Sequence, residues 1–270
     1  MAEAMFDGRE LYMLHDMFWR EFALMPGLVR GTAEGDRERA EIVGGHIAGL
    51  NTDLRLHRAG QDTFVWPLLL DRCADDVIPV VQVMEGQNDE VDRLSQELDA
   101  ALATWRRGPT ADSGKALARV LDQLVPALQE HLGTEEAHLV PLMERNIPAA
   151  EWSEIVRKGV AEADAERMPL GFGMLMYEGD PEVVEIALVR LPPELRSAVR
   201  EQAPQVYAAH AERVHGTPTP PRSSELTAAR PYRPHSVPPD AAAGSTDDRE
   251  AAPAVRRRGA TGRGRGGRET

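Results

Sequence analysis

The sequence predicts an all-α fold: an up-down four-helix bundle, a C-terminal helical extension and a disordered tail. Apolar residues recur at three- and four-residue steps in four long segments, glycine and proline separate those segments, and no period-two alternation of any length is found. Hydrophobic residues make up 42% of the 270 residues and charged residues 28%, which is typical of a water-soluble protein with a substantial core.

Each of the four segments carries one apolar stripe of the kind that a helix buries against its neighbours. The stripes run over residues 11–29, 43–54, 77–105 and 117–142. Pro26-Gly27 and the run from Gly31 to Gly35 follow the first stripe, and Gly108-Pro109 follows the third. Long amphipathic helices with such short connections form an up-down-up-down bundle, which we assign to residues 1–159.

A helical extension, which we assign to residues 160–216, follows the bundle. Asp180-Pro181-Glu182 has the pattern of an N-cap followed by proline at the first helical position, and Pro192-Pro193-Glu194 repeats this pattern. Beyond Gly216 the chain is rich in Pro, Ala, Ser, Gly and Arg and has few large apolar residues. Such a segment cannot bury enough surface to offset its ordering entropy, so we expect residues 217–270 to be disordered.

Charge and composition restrict the classes of partner. The net charge is −13; the tail, with ten Arg and six acidic residues, carries +4, so residues 1–216 carry −17. An acidic body disfavours nucleic acid as the main ligand, and we expect at most weak RNA binding through the arginine-glycine end of the tail. The chain has no apolar run of the roughly 18 residues that a membrane span needs, no secretory signal and one cysteine, Cys73. We therefore expect no membrane partner and a cytoplasmic location.

Polar residues interrupt the apolar stripe of every predicted bundle helix. They are His15 in the first helix, His57 and Gln61 in the second, Asn88 in the third, and His131, Glu135 and His138 in the fourth. Residues four apart share one face of a helix, so His57 and Gln61 can reach a common point, and so can His131 and Glu135. Burying these groups without partners would cost a few kcal/mol apiece. A metal ion removes that cost, because imidazole and carboxylate are natural metal ligands.

Other polar residues near these positions are assigned different roles. His46 lies about 16 Å from His57 along a helix axis, too far to share an ion, and we interpret it as a helix-cap or packing residue. Asp62 and Glu136 adjoin inward positions but point elsewhere, which predicts outer-shell or surface positions. The candidate walls of a ligand pocket are Phe18, Phe64, Trp66 and Met84.

These residues and their spacing resemble the hemerythrin-like proteins, also called HHE cation-binding domains. The resemblance covers about residues 10–147. Its motifs are Leu14-His15-Asp16, Leu56-His57 through Asp62 to Trp66-Pro67, and His131-Leu132 through Glu135-Glu136 to Pro141-Leu142.

The resemblance implies a non-haem di-iron centre inside the bundle. Position by position, the ligands His15, His57, His131 and Glu135 are retained, whereas Gln61 stands where the family has a bridging Glu and Asn88 where it has a His. The retained His15, His57 and Glu135 form a two-His-one-carboxylate set that suits mononuclear non-haem iron, with His131 as a fourth ligand or a nearby acid/base. We therefore expect one or two iron ions in a weakened or single-metal site. The alternative is a lapsed site, in which Gln61 and Asn88 hydrogen-bond to the histidines.

Three functions follow from these expectations. In the first, the protein binds iron and a small ligand such as oxygen, nitric oxide or peroxide, for storage, sensing or detoxification. In the second it is a non-haem iron enzyme, an oxidase, peroxidase or catalase. In the third it is a metal-free scaffold that binds a partner through the extension or the tail. The sequence identifies no organic substrate, no organic cofactor and no catalytic residue, so whether the protein is an enzyme stays open.

Overall fold

Helices form the regular structure of the chain. The computed structural model describes residues 4–162, 164 and 166–226, and within these ranges there is no β-strand, only an isolated bridge between Met5 and Pro148. The predicted all-α fold is confirmed. In the same ranges, none of the helices combines the length and the apolar character that crossing a bilayer requires.

The first bundle helix is α1, Arg9–Arg30, and the second starts with α2, Arg37–Gly60. The loop between them turns at Gly35, whose φ of 82° lies in the left-handed region that favours glycine. The Gly35 N–H donates to the carbonyl of Pro109 at 2.8 Å, which joins this loop to the loop between the third and fourth helices. Asp36 then caps α2 by accepting from the Arg39 N–H at 2.9 Å.

The second and third bundle helices are nearly continuous in the chain. A π-helical segment, Gln61–Val65, joins α2 to α3, Trp66–Arg107. Cys73, with φ −148° and ψ 49°, breaks α3 into a short first part and a long second part. Contacts between α2 and the long part run in opposite order along the two helices: Glu41 with Arg106, Asn51 with Asp99, and Arg58 with Asp92. The two helices are therefore antiparallel.

The fourth bundle helix consists of α4, Ala111–Thr134, a second π-helical segment, Glu135–Leu139, and α5, Val140–Asn146. It begins with a capping box in which Thr110 and Ser113 bond reciprocally. It runs antiparallel to α1, because Arg30 pairs with Asp122 at one end and the Gly8 N–H donates to Glu144 at the other. The predicted up-down bundle is thus confirmed.

The bundle core has two apolar clusters with a polar layer between them. The larger cluster includes Phe18, Leu54 and Leu128, and the smaller one includes Leu11, Val65 and Leu139. The residues between these positions on α1, α2 and the fourth helix are His15, His57, Gln61, His131 and Glu135, which we call the polar layer.

Four helices lie in the described residues between Ala149 and His215. They are α6, Ala149–Glu162; α7, Met168–Glu178; α8, Pro181–Arg190; and α9, Pro193–His215. The helix starts that we predicted at Pro181 and Pro193 are confirmed, and Asp180 accepts from the Glu182 N–H at 2.8 Å. The chain leaves the bundle at Ile147, where the backbone becomes extended. The boundary that we placed after residue 159 therefore falls inside α6.

The first residues of the segment predicted to be disordered are packed against the extension. The Tyr177 hydroxyl donates to the carbonyl of Pro220 at 2.6 Å, and the buried Ser223 donates its N–H to Glu178 at 2.9 Å. A short 3₁₀ turn, Ser223–Glu225, follows. Disorder was therefore predicted to start too early. The rest of that segment, residues 227–270 with the arginine-glycine end, lies outside the described residues.

Gly173 allows α7 and α9 to approach each other closely. A Cβ atom at this position would lie 2.7 Å from the Tyr207 Cβ and would overlap with the carbonyl of Ala203. Gly171, two residues earlier on the same helix, has nothing within 4 Å of such a Cβ.

Gly173→Ala should destabilise the protein by about 1–3 kcal/mol, because the added methyl group forces the two helix backbones apart. Gly171→Ala is the matched control and should be neutral or stabilise by up to about 1 kcal/mol through helix propensity. Urea unfolding of the two variants measures the difference. Equal stability of the two variants would contradict the close approach.

Candidate metal centre

The four predicted ligands meet in the polar layer. His15 comes from α1, His57 from the last turn of α2 and His131 from the last turn of α4, and Glu135 opens the following π-helical segment. The side chains of His131 and Glu135 are 0% exposed, that of His15 1% and that of His57 8%. Three helices distant in sequence therefore bring three imidazoles and one carboxylate to one buried place.

The Glu135 carboxylate is the centre of this group. Its Oε2 lies 3.0 Å from the His15 Nε2 and 3.5 Å from the His57 Nε2, and its Oε1 lies 2.9 Å from the His131 Nε2. One ligand atom each from His15, His57 and Glu135 lie within 4.8 Å of one another, so one ion can contact all three. His131 stands beside this set, on the other carboxylate oxygen.

Several atoms of the group have no hydrogen-bond partner although they are buried. They are both carboxylate oxygens of Glu135, the Nε2 of His15 and both ring nitrogens of His131. The distances are short, but the ring nitrogens are not aligned with the oxygens for hydrogen bonding. An uncompensated buried carboxylate costs several kcal/mol. Inward-facing ligand atoms without partners are what a metal cation would satisfy, so the donor set fits a metal.

The pKa shifts of Glu135 and His57 also fit a metal site. Burial raises the pKa of Glu135, but the surrounding histidines outweigh burial and hold this pKa well below its ordinary value. Burial lowers the pKa of His57, which favours the neutral imidazole that binds metals. For His15, burial lowers the pKa, but Glu135 and Glu136 outweigh it and raise the pKa. The centre therefore carries an ionised carboxylate.

Glu136 orients His15 from outside the ligand set. Its Oε1 lies 3.1 Å from the His15 Nδ1, so this nitrogen donates to the carboxylate and the Nε2 is directed at the site. The sequence placed Glu136 in the outer shell or at the surface, and the structure places it against a ligand. The signal for this contact in the sequence was that Glu136 directly follows Glu135.

Gln61 and Asn88 behave differently from each other. Gln61 opens the other π-helical segment, and its amide nitrogen lies 3.2 Å from the His57 Nε2, to which it donates. Asn88 is half-buried, and the contact that the described residues show for it is through its backbone carbonyl, which accepts from Arg58. On either side of Asn88, the buried residues of the α3 stripe are Met84 and Val91.

The π-helical segment also changes the position of His138. We predicted this residue to face inward, but it is exposed. The carbonyl of Glu135 accepts from the N–H five residues later, and this wider turn rotates the residues that follow it. Of the predicted pocket walls, Phe18 and Met84 are buried, whereas Trp66 and Phe64 are half-buried and the Phe64 ring faces Lys158.

The sequence profile of the Hemerythrin HHE cation binding domain family matches residues 9–143, half of the chain. The chain belongs to this family. The match begins at the start of α1 and ends inside α5, so it spans the bundle and leaves out the extension. A search of curated proteins and a search of solved structures found no match. The hemerythrin-family match agrees with the buried His and Glu groups in assigning cation binding to the bundle.

Glu136→Gln should weaken metal binding by about 10–100-fold, because His15 loses its charged orienting partner. Asp62→Asn is the matched control, since Asp62 follows Gln61 as Glu136 follows Glu135 but is exposed. Metal titration of both variants against the unmodified protein measures the effect. If both variants bind as the unmodified protein does, Glu136 has no orienting role.

Proposed function

We propose that this protein binds a single non-haem iron ion in the polar layer and uses it to hold or sense a small ligand such as oxygen, nitric oxide or peroxide. The observation that carries the proposal is the buried Glu135 carboxylate, which has three imidazole Nε2 atoms around it and no hydrogen-bond partner. His15, His57 and Glu135 would hold the ion. Two imidazoles and a carboxylate are the set that mononuclear non-haem iron uses with open positions for an exogenous ligand.

The single-ion proposal follows from the residues that replace the other family ligands. A second ion would need donors at the positions of Gln61 and Asn88, but the Gln61 amide is neutral and already donates to His57. His131 faces the second oxygen of Glu135 and can serve as a fourth ligand or hold a proton beside the site. Iron would supply reversible coordination of a small ligand and one-electron chemistry.

The surroundings of the site support a small ligand. The four side chains are buried, and apolar clusters close the polar layer on both sides along the bundle. Phe18 packs against His57 with ring centroids 5.8 Å apart. A site of this kind excludes bulky substrates and keeps the dielectric low around the metal.

The unmodified protein should contain about one iron per chain after purification from iron-supplemented cells, because one ion satisfies the three converging ligands. Glu135→Gln should lower iron content at least about tenfold, and Glu130→Gln, an exposed carboxylate one turn earlier on α4, should leave it unchanged. Elemental analysis gives the iron content, and optical spectra with and without nitric oxide test ligand binding.

No iron in the unmodified protein after anaerobic ferrous reconstitution would overturn this proposal. It would favour the metal-free scaffold, the alternative that the contact between Gln61 and His57 supports. Two irons per chain would overturn the single-ion proposal and restore a di-iron centre.

Gln61→Glu should strengthen iron binding by about tenfold or more, because it replaces an amide with an anionic ligand and returns the lone pair of the His57 Nε2 to the metal. Gln61→Met separates the two causes, since it removes the contact with His57 without adding charge. Competition titration against a chelator of known affinity measures both. Weaker iron binding by Gln61→Glu than by the unmodified protein would contradict the position that we give Gln61.

A further inference from the structure

A second cluster of buried His and Glu side chains lies where the extension meets the bundle. It consists of Glu21 on α1, His46 on α2, and His210 and His215 on α9. The side chains of Glu21, His46 and His215 are 0%, 1% and 5% exposed. Glu21 and His46 belong to the part of the chain that matches the family, whereas both α9 histidines lie outside it. The cluster is therefore not the family's metal site.

Three ligand atoms converge in this cluster. The Glu21 Oε2 accepts a hydrogen bond from the His215 Nε2 at 3.1 Å and lies 3.2 Å from the His46 Nε2. One ligand atom from each of the three residues lies within 4.8 Å of the others. Two imidazoles and one carboxylate are also the protein ligands of many zinc sites that keep a fourth, open position.

The second oxygen of Glu21 is held by other groups. Its Oε1 accepts from the Arg20 Nη2 at 2.6 Å and from the Tyr207 hydroxyl at 3.1 Å, which leaves the Oε2 directed at the histidines. Arg20 is itself paired with Glu178 at 2.6 Å. The two carboxylates and one guanidinium sum to one negative charge, which a divalent cation would meet. Outer-shell contacts of this kind orient metal ligands.

His46 has the orientation of a ligand as well. Its Nδ1 lies 3.0 Å from the His210 Nε2, so the two rings share a hydrogen bond. Its Nε2 is buried and has no hydrogen-bond partner, although the Glu21 Oε2 is near. When the Nδ1 carries the proton, a lone pair of His46 faces a carboxylate oxygen, and a cation between them removes the repulsion.

A surface cavity borders the cluster on one side. A surface cavity of about 300 Å³ is lined by Gly45, His46, His210 and Val214, among others. The cavity therefore borders the cluster on the side of His46 and His210, whereas Glu21 and His215 are not among its lining residues.

We propose that Glu21, His46 and His215 bind a zinc-class divalent ion, with His210 as a positioning residue for His46. The ion joins α9 to α1 and α2, since each helix supplies one ligand. This site is independent of the proposed iron site, because it shares no residue with the polar layer.

The test uses the full-length protein, stripped with a chelator and titrated with Zn²⁺. His215→Ala and His46→Ala should each weaken zinc binding at this site at least about 100-fold, because each removes one of three ligands. His138→Ala, which removes an exposed histidine, is the matched control. Glu135→Gln removes one ligand of the polar layer and none of the second cluster. Zinc that this variant still binds therefore identifies the second site, even if the iron proposal fails.

Hydrogen exchange of the unmodified protein provides a measurement that needs no variant. Added Zn²⁺ should slow amide exchange in the last turn of α9, where His215 lies. Zinc binding that is unchanged in His215→Ala and His46→Ala would overturn the proposal. So would the lack of any zinc-dependent protection in that turn.

Discussion

The buried carboxylate of Glu135 is the constraint on which the bundle interior depends. A charge with no solvent exposure must be compensated, and here α1, α2 and α4 each direct one imidazole at it. The polar layer therefore divides an otherwise continuous apolar core into two clusters. Both clusters combine buried side chains from several helices, so apolar contacts hold the helices together on either side of the site.

The two π-helical segments place the residues at the centre of that layer. Gln61 and Glu135 each open one of them, on α2 and on the fourth helix. A π-helical turn is less favourable than an α-helical one and is retained mostly where a functional side chain needs it. The amide of Gln61 and the carboxylate of Glu135 therefore each stand at the first residue of a π-helical segment.

A second buried carboxylate with partners from several helices lies where the extension meets the bundle. Glu21 is also fully buried, and its partners come from α1, α2 and α9. Arg20 lies between the rings of Tyr177 and Tyr207, with centroid distances of 5.1 and 5.2 Å, and links Glu21 to Glu178. A second buried ion pair, between Glu10 and Arg190, joins α1 to α8. The extension is thus attached to the bundle by buried charge, whereas the close packing at Gly173 joins α7 to α9 within the extension.

The sequence by itself determined the helices and the candidate ligands, because helical periodicity is local: residues three or four apart share a face whatever the rest of the chain does. His15, His57, His131 and Glu135 follow from that rule. His138 was misplaced because the rule assumes a regular α-helix. Only the tertiary structure decided which side chains meet across helices, such as His46 with His210, or Glu136 with His15. Those pairs are distant in sequence, and their contact depends on the packing of whole helices, which no local pattern records.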